Sequence, residues 1–349
     1  MIPLFKPFLS ESAAKRVAEV MVSGYIGQGP VVEKFEKALE QWIGPCVTVN
    51  SGTSAIWLAL DLAGVKYGDK VISTPMTCLA TNIPAAQRGA RIIWADVNPE
   101  TGNMDPMSLA NLLAKHKPKA VIAVEYGGTP TPQSIHSFCA AADVPLIIDA
   151  AHAFGSYGFN VRNADYTCYS FQAIKHLTCG DGGALVVRDP EKREEAILKR
   201  WFGLDRNRGG FRCDQITHTL GYKFHMNDIS AAIGLANLDG VYQNIEKGRR
   251  NSALYSVAGY GHYFSQGTHW LHVLNVKDRD GFCQRMEAKG IQCAKPHSRN
   301  DVHPIFWGSA NEHLPGVEEF DNHHCAIPNG WWLSDVDVRE IINSVGECL

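Results

Sequence analysis

The chain has 349 residues, 45% hydrophobic and 20% charged, a balance ordinary for a globular protein and a length sufficient for one large domain and a smaller one. Lysine and arginine total 33 against 36 aspartates and glutamates, so the net charge of −3 excludes bulk affinity for nucleic acid or an anionic membrane as an organising theme. The ten cysteines show no CxxC spacing, no apolar run reaches the ~20 residues of a membrane span, and Met1-Ile2-Pro3-Leu4-Phe5 lacks the apolar stretch of a signal peptide, so the expectation is free thiols in a reducing cytoplasm.

Residues 11–23 carry apolar side chains at helical spacing. Gly24, Gly27 and Gly29 interrupt the pattern, and 31–42 reads as a second amphipathic helix. A short β-like run at 46–49 closes in Asn50-Ser51-Gly52-Thr53-Ser54, and a helix is expected over 55–63. Strands are expected at 71–74, 91–94, 120–124 and 146–148, with helices at 77–88, 108–116 and 133–142 between them. A helix-plus-strand crossover is expected between Asp149 and Lys175, then a strand at 184–187 and a small-residue helix at 229–238. Short apolar strands alternating with helices predict an α/β protein with a mostly parallel sheet covered on both faces. Past Gly240 the pattern changes to an alternating run at 270–276 and a helix at 280–289. Residues 1–240 are therefore expected to form the large domain and 241–349 a smaller α+β domain.

Two side chains stand out. Asp149 ends the run Val144-Pro145-Leu146-Ile147-Ile148, and in an open α/β sheet the carboxyl ends of strands face the ligand. The alternative is a helix N-cap. Lys175 ends the uncharged stretch Ser170-Phe171-Gln172-Ala173-Ile174, and Gly180, Gly182 and Gly183 follow it. Burial would lower its ammonium pKa and free the amine as a nucleophile, while the glycines permit positive φ and close backbone approach. The alternative is a surface lysine beside a turn. Together, a strand-end carboxylate and a lysine in a glycine-flanked turn are what an enzyme needs to hold pyridoxal phosphate (PLP). The lysine attaches to the cofactor, and the carboxylate pairs with the protonated pyridine nitrogen and keeps the ring an electron sink.

Other segments leave two readings open. Ser51-Gly52-Thr53-Ser54 is either an anion site at a helix N-terminus or an ordinary N-cap. His152 could stack on or hydrogen-bond a ring, or serve structure alone. Lys223 and His225 could reach an anion, or lie in a loop before a helix capped by Asn227 or Asp228. Arg206, Arg208 and Arg212, with Gly203, Gly209 and Gly210, either clamp a diphosphate or are solvated. Lys295-Pro296-His297-Ser298-Arg299-Asn300-Asp301-Val302-His303 is a further polar cluster. The fourteen histidines, including His323-His324-Cys325, show no HExxH or similar metal spacing, so no metal is expected. No P-loop, GxSxG elbow or strand-following GxGxxG occurs.

Four ordered motifs carry a resemblance. They are Gly24-Tyr25-Ile26-Gly27-Gln28-Gly29-Pro30 with Phe35-Glu36, Ser51-Gly52-Thr53-Ser54-Ala55, Asp149-Ala150-Ala151-His152-Ala153, and Ser170-Phe171 with Lys175 and Gly180-Asp181-Gly182-Gly183. In this order the chain resembles the DegT/DnrJ/StrS family of PLP-dependent nucleotide-sugar aminotransferases, a branch of fold type I. The resemblance runs from about Pro7 to about Arg250 and continues weakly to the end.

It implies a mostly parallel, mixed seven-stranded sheet sandwiched by helices, plus the smaller α+β domain. Lys175 would be the Schiff-base lysine and proton shuttle, and Asp149 the partner of the pyridine nitrogen. His152 stands where the family usually has glutamine, near the ring hydroxyl. Gly52, Thr53 and Ser170 would bind the cofactor phosphate, with Cys78 and Ala151 as further cofactor contacts. Cys78 replaces an aromatic residue that stacks on the ring. Lys223, where the family usually has asparagine, would reach the phosphate from the neighbouring subunit of a homodimer with shared active sites. A cation can serve a phosphate there as a point charge. The substrate pocket would draw on Tyr25, Ile26, Gln28, Arg208, His297 and His303.

Some members replace the lysine by histidine and are sugar 3-dehydratases, so Lys175 favours transamination. The implied reaction moves an amino group from L-glutamate to a nucleotide-linked keto sugar, with pyridoxamine phosphate as the aminated cofactor. The product would be an amino sugar for a surface polysaccharide such as O-antigen, or for a glycosylated product. The alternatives are dehydration or retro-aldol chemistry on the same scaffold, and a non-catalytic PLP-binding regulatory protein. A metal-dependent or nucleotide-hydrolysing enzyme has no motif in support.

Overall fold

Short strands rich in valine, isoleucine and alanine supply the centre of the fold in the computed structural model, which describes residues 1–156, 163–206, 208, 211, 214–306 and 313–349. The strands are β1 (Cys46–Val49), β2 (Lys70–Ser73), β3 (Arg91–Trp94), β4 (Ala120–Val124), β5 (Leu146–Asp149), β6 (Tyr166–Ser170) and β7 (Gly183–Val187). They form one seven-stranded sheet in the order β1-β7-β6-β5-β4-β2-β3. Only β7 runs against its neighbours, pairing antiparallel with β1 and β6; the other pairings are parallel.

Side chains on successive strand residues point to opposite faces, and both faces are filled. Ile147 packs into one apolar layer with Ile122, Leu185 and Leu58, whereas Ile148 packs into the other with Val121, Phe35 and Val241. Fully burying such a side chain contributes roughly 1.5–3 kcal/mol, so a polar residue inside these strands would be costly. Asp149 stands at the strand's end, where hydrogen bonds from Thr81 and Ala151 offset part of that cost.

The covering helices are α1 (Ala13–Ser23), α2 (Pro30–Ile43), α3 (Gly52–Leu62), α4 (Leu79–Gln87), α5 (Pro106–Lys115), α6 (Gln133–Ala141), α7 (Pro190–Lys199) and α8 (Asp228–Val257). Helix α3 starts three residues before the expected position. The Ser51 hydroxyl accepts the Ser54 amide at 3.1 Å and caps the helix at Gly52. Asn227 caps α8 by accepting the Ser230 amide at 2.8 Å. Buried Asp228 instead accepts amides of Gly29, Val31 and Val32, a carboxylate at the positive N-terminus of α2.

The C-terminal part pairs β8 (His272–Asn275) with β9 (His324–Ile327) and covers them with α9 (Arg279–Ala288), α10 (Pro315–His323) and α11 (Asp335–Cys348). Its apolar cluster includes Phe282, Met286, Ile327 and Ile341, and also Tyr255 near the end of α8. The sequence-based division at Gly240 falls inside α8, which runs unbroken from Asp228 to Val257. The expected crossover helix between Asp149 and Lys175 is absent among the described residues; β6 follows and pairs directly with β5, Asp149 beside Cys168. Nothing in the sequence pattern marked β6, α7, β9, α10 or α11. No described helix is long and apolar enough to cross a membrane.

Candidate active site

Strand β5 presents Asp149 at its carboxyl end, and the connection from β6 to β7 presents Lys175 beside it. Ser170 and Gly183 are register partners, so residues 171–182 fold back over the end of the sheet. Amides of Phe171 and Cys179 close this loop on the carbonyls of Gly182 and Phe171 at 2.8 and 2.9 Å. A tight turn, Lys175 amide to Gln172 carbonyl at 2.9 Å, sets the lysine at its bend.

Both groups line a cavity of about 320 Å³ at the carboxyl end of the sheet. Gly52, Thr53, Cys78, Asp149, Ala151, His152, Ser170, Lys175 and His297 all line it. These residues span most of the chain, and the parallel topology gathers them at one end of the sheet.

Asp149 is 5% exposed. Its Oδ2 accepts the Thr81 hydroxyl at 2.6 Å, and Oδ1 accepts the Ala151 amide at 3.0 Å. Thr77 in turn bonds Thr81 at 2.7 Å. Burial raises the Asp149 pKa; the Thr81 and Ala151 hydrogen bonds and the Lys175 charge oppose that rise.

Burial lowers the Lys175 pKa to about 8, against the pull of Asp149 and Cys78 in the other direction. A substantial fraction of the amine is therefore neutral near physiological pH, as a nucleophile or proton carrier requires. Its Nζ lies 3.7 Å from the Trp270 ring centre, and the Trp270 indole N–H donates to the Ile174 carbonyl at 2.9 Å.

His152 is 5% exposed and stacks on Trp270, ring centres 4.0 Å apart, with His297 stacked at 5.5 Å. Burial, with the charges of Lys175 and His297, lowers the His152 pKa well below its ordinary value. Its Nδ1 accepts the Gly127 amide at 3.2 Å, which assigns the remaining proton to Nε2 and makes that nitrogen a donor. Burial likewise lowers His297 to about 4.

At the cavity wall the α3 N-terminus meets the ends of β6 and β7. A Cβ on Gly52 would come within 2.9 Å of Ser170 Cβ, and one on Gly183 within 2.7 Å of the Gly52 nitrogen. Two glycines thus let a helix start, with its unpaired amides, meet the strand ends closely. Ser51 serves as cap, and the same cap leaves this amide cradle at the cavity wall.

The remaining expected residues lie elsewhere. Tyr25 and Gln28 line a larger opening of about 950 Å³ together with Arg206 and Glu33. Arg206 donates to the Gln28 carbonyl at 2.6 Å, so the basic loop is tied to the Gly24–Pro30 motif. Ile26, Arg208 and Lys223 are exposed. Lys223 forms an isolated bridge with Trp201, its Nζ 6.0 Å from that ring. His303 follows the turn anchored by Asn300, which bonds the carbonyl of Thr77 and the side chain of Asn82. Arg212, Gly209 and Gly210 lie outside the described residues. His323 pairs with Glu319, and His324 bonds the Phe320 carbonyl. Sequence reasoning missed Trp270, Thr77 and Thr81. Trp270 was visible only as the start of an alternating run, and the threonines as part of a helix.

The family model of the DegT/DnrJ/EryC1/StrS aminotransferases matches residues 7–346. The chain belongs to this family. It is accordingly a PLP-dependent enzyme of the sugar aminotransferase type. Sugar aminotransferase CalS13 from Micromonospora echinospora is 33% identical, with a TM-score of 0.92 over 99% of this chain and 100% of that one. AtS13 from Actinomadura melliaura is 37% identical, with a TM-score of 0.91 over 99% and 98%. The dTDP-4-dehydro-2,3,6-trideoxy-D-glucose 4-aminotransferase of Saccharopolyspora spinosa is 28% identical over 98% of this chain and 95% of its own length.

The cavity suits PLP on its own chemistry. A desolvated carboxylate, an amine with a lowered pKa and a glycine-lined helix N-terminus occur in one enclosure. Trp270 lines the same cavity with a large aromatic ring, whereas Cys78 supplies none.

Proposed function

We propose that this enzyme transfers an amino group from an amino acid, with L-glutamate as donor, to a nucleotide-linked keto sugar. The observation that carries the reading is Lys175 Nζ, with its pKa near 8, in one cavity with Asp149. An amine so placed can take a proton from one carbon and return it to another, which transamination needs and simple dehydration does not.

Asp149 would hold the ring nitrogen, and the amides at Gly52 and Thr53 with Ser170 would hold the phosphate. His152 would donate from Nε2 and, with Ala151 and Cys78, bound the ring. When bound, PLP supplies an electron sink for charge developing on the substrate carbon. Trp270 covers Lys175, whose buried amine, with its pKa near 8, would be about half uncharged at slightly alkaline pH.

The nucleotide-sugar end of the pocket is assigned to Tyr25, Ile26, Gln28, Arg208, His297 and His303. We take the enzyme to act as a homodimer in the cytoplasm, with Lys223 reaching the partner's phosphate site. The exposure of Lys223, away from its own cavity, supports that reading. Residues 1–240 would form the cofactor-binding part and residues 241–349 the smaller part, with α8 continuous across the division. The amino sugar would enter a surface polysaccharide such as O-antigen or a glycosylated product.

The test is the absorbance spectrum of PLP-loaded protein before and after L-glutamate. Loss of the visible band with growth of a near-ultraviolet band is expected, followed by reversal with a suitable nucleotide-linked keto sugar. A visible band that ignores every amino acid would overturn transamination.

A further inference from the structure

Val124 and Glu125 are neighbours at the end of β4, and successive strand residues face opposite ways. Val124 lines the Lys175 cavity, whereas Glu125 lines a second cavity of about 650 Å³. Three residues that line this second cavity each carry a buried polar atom without a hydrogen-bond partner: Glu125 Oε2, Thr131 Oγ1 and His136 Nδ1. Glu125 is 2% exposed and His136 8%. A buried polar atom left unsatisfied is costly, and three on neighbouring residues of one cavity call for a physical explanation.

Charge narrows the class of ligand. The cavity wall carries no lysine or arginine among the described residues, so it offers an anion no formal positive charge. Glu125 Oε1 accepts the Thr131 amide at 3.0 Å, and Oε2 accepts nothing. Burial raises the Glu125 carboxyl to about 7; the Thr131 amide opposes this, and the charge of Asp149 adds to it. No cation contributes. Burial also lowers the His136 pKa, which keeps the imidazole neutral, with one of its two ring nitrogens an acceptor. A primary ammonium has three donors and no acceptor, and a carboxylate, a hydroxyl and a neutral imidazole nitrogen complement it. Tyr263 and Phe264 supply aromatic surface for a carbon frame. We propose that this cavity binds a small molecule bearing a primary ammonium group, held by Glu125, Thr131 and His136. The site is independent of the keto-sugar reading. It adjoins the Lys175 cavity through the Glu125 amide, which donates to the Asp149 carbonyl at 3.1 Å.

The test is calorimetric titration of the full chain with cyclohexylammonium, against cyclohexanol as the neutral control. PLP is first fixed to Lys175 with borohydride, so that the probe amine cannot react there; if no PLP is taken up, the protein is titrated directly. The measurement is made at pH 7 in two buffers of different ionisation enthalpy. A cation beside Glu125 lowers its pKa, so binding should expel about half a proton from a carboxyl that titrates near 7. Saturable binding of the amine with proton release is expected, with no comparable cyclohexanol binding. Glu125→Gln should weaken the amine at least tenfold and abolish the release. Thr131→Val should weaken it several-fold and keep the release. Unchanged affinity in both variants would overturn the site. Equal cyclohexanol binding without proton release would overturn the ammonium class, and no binding of either probe would leave the cavity to water and overturn the proposal.

Discussion

The ammonium nitrogen of Lys175 lies 3.7 Å from the centre of the Trp270 ring, and its pKa is nevertheless lowered to about 8. The two facts pull in opposite directions. A cation over an indole face is favoured by about 0.5–2 kcal/mol, which raises the pKa. The same ring removes water from the amine, and desolvation of a buried lysine shifts the pKa by up to 3–5 units. Desolvation is the larger effect, and the site holds a reactive amine at a cost in stability.

That cost predicts a pH-dependent gain on removing the amine. The folded pKa of about 8 lies below the ordinary 10.5, so between these values the unfolded chain binds more protons and stability rises with pH. Below pH 8 the penalty is fully present. Lys175→Met should therefore raise the melting temperature of cofactor-free protein at pH 7 by about 2 °C or more, and the gain should shrink towards pH 10. Turnover should vanish in Lys175→Met and Lys175→Ala alike, while PLP is still held without a covalent bond. A lower melting temperature at pH 7 would show that the favourable contacts of the cation, with Asp149 and the Trp270 ring, outweigh its desolvation.

Asp149 depends on Thr81 to stay charged in its buried position. The 2.6 Å hydrogen bond from that hydroxyl opposes the desolvation that raises the carboxyl pKa. Thr81→Val removes a hydrogen bond to a charged group, worth about 1.5–3 kcal/mol, and should lower kcat/KM by roughly tenfold or more. Asp149→Asn should cost at least about 100-fold. The loss in Thr81→Val should be greatest at low pH, where a carboxyl with a raised pKa protonates first. A flat ratio to wild type across pH would mean that Thr81 only positions its helix.

The apolar strands were legible because burial on both faces forces continuous hydrophobic runs, as in Ala120–Val124. Asp149 was legible for the same reason, as the charge that ends such a run. Tyr166–Ser170 carries threonine, cysteine and two tyrosines and so hid its strand, although its core positions are buried. Trp270 could not be assigned to the site from sequence, because it reaches Lys175 only through the docking of the C-terminal part on the sheet end. Glu125 was equally hidden: its unpaired oxygen is a fact of three-dimensional neighbours.

The glycine at the start of α3 should act on cofactor affinity more than on folding. A Cβ at Gly52 would approach Ser170 Cβ to 2.9 Å and must displace the side chain expected at the phosphate. Alanine is also the better helix former by up to about 1 kcal/mol, which offsets part of the strain. Gly52→Ala should therefore weaken PLP binding by about tenfold, read by fluorescence titration of cofactor-free protein, with little change in melting temperature. Unchanged PLP affinity would remove Gly52 from the phosphate site.

Trp270 itself separates the two effects at Lys175. Trp270→Ala admits water to the amine and also removes the ring face; because desolvation outweighs the cation–π attraction, the Lys175 pKa should rise from about 8 towards its ordinary 10.5. Trp270→Phe keeps an apolar wall and should shift it less. The pKa can be read from the pH dependence of PLP trapping on Lys175 by borohydride, which requires the neutral amine for attack. At pH 7.5 the alanine variant should trap more slowly than wild type, and raising the pH should restore its rate. Slow trapping at every pH would show instead that Trp270 orients the lysine, since a change in protonation alone is reversed by alkali and a misplaced amine is not.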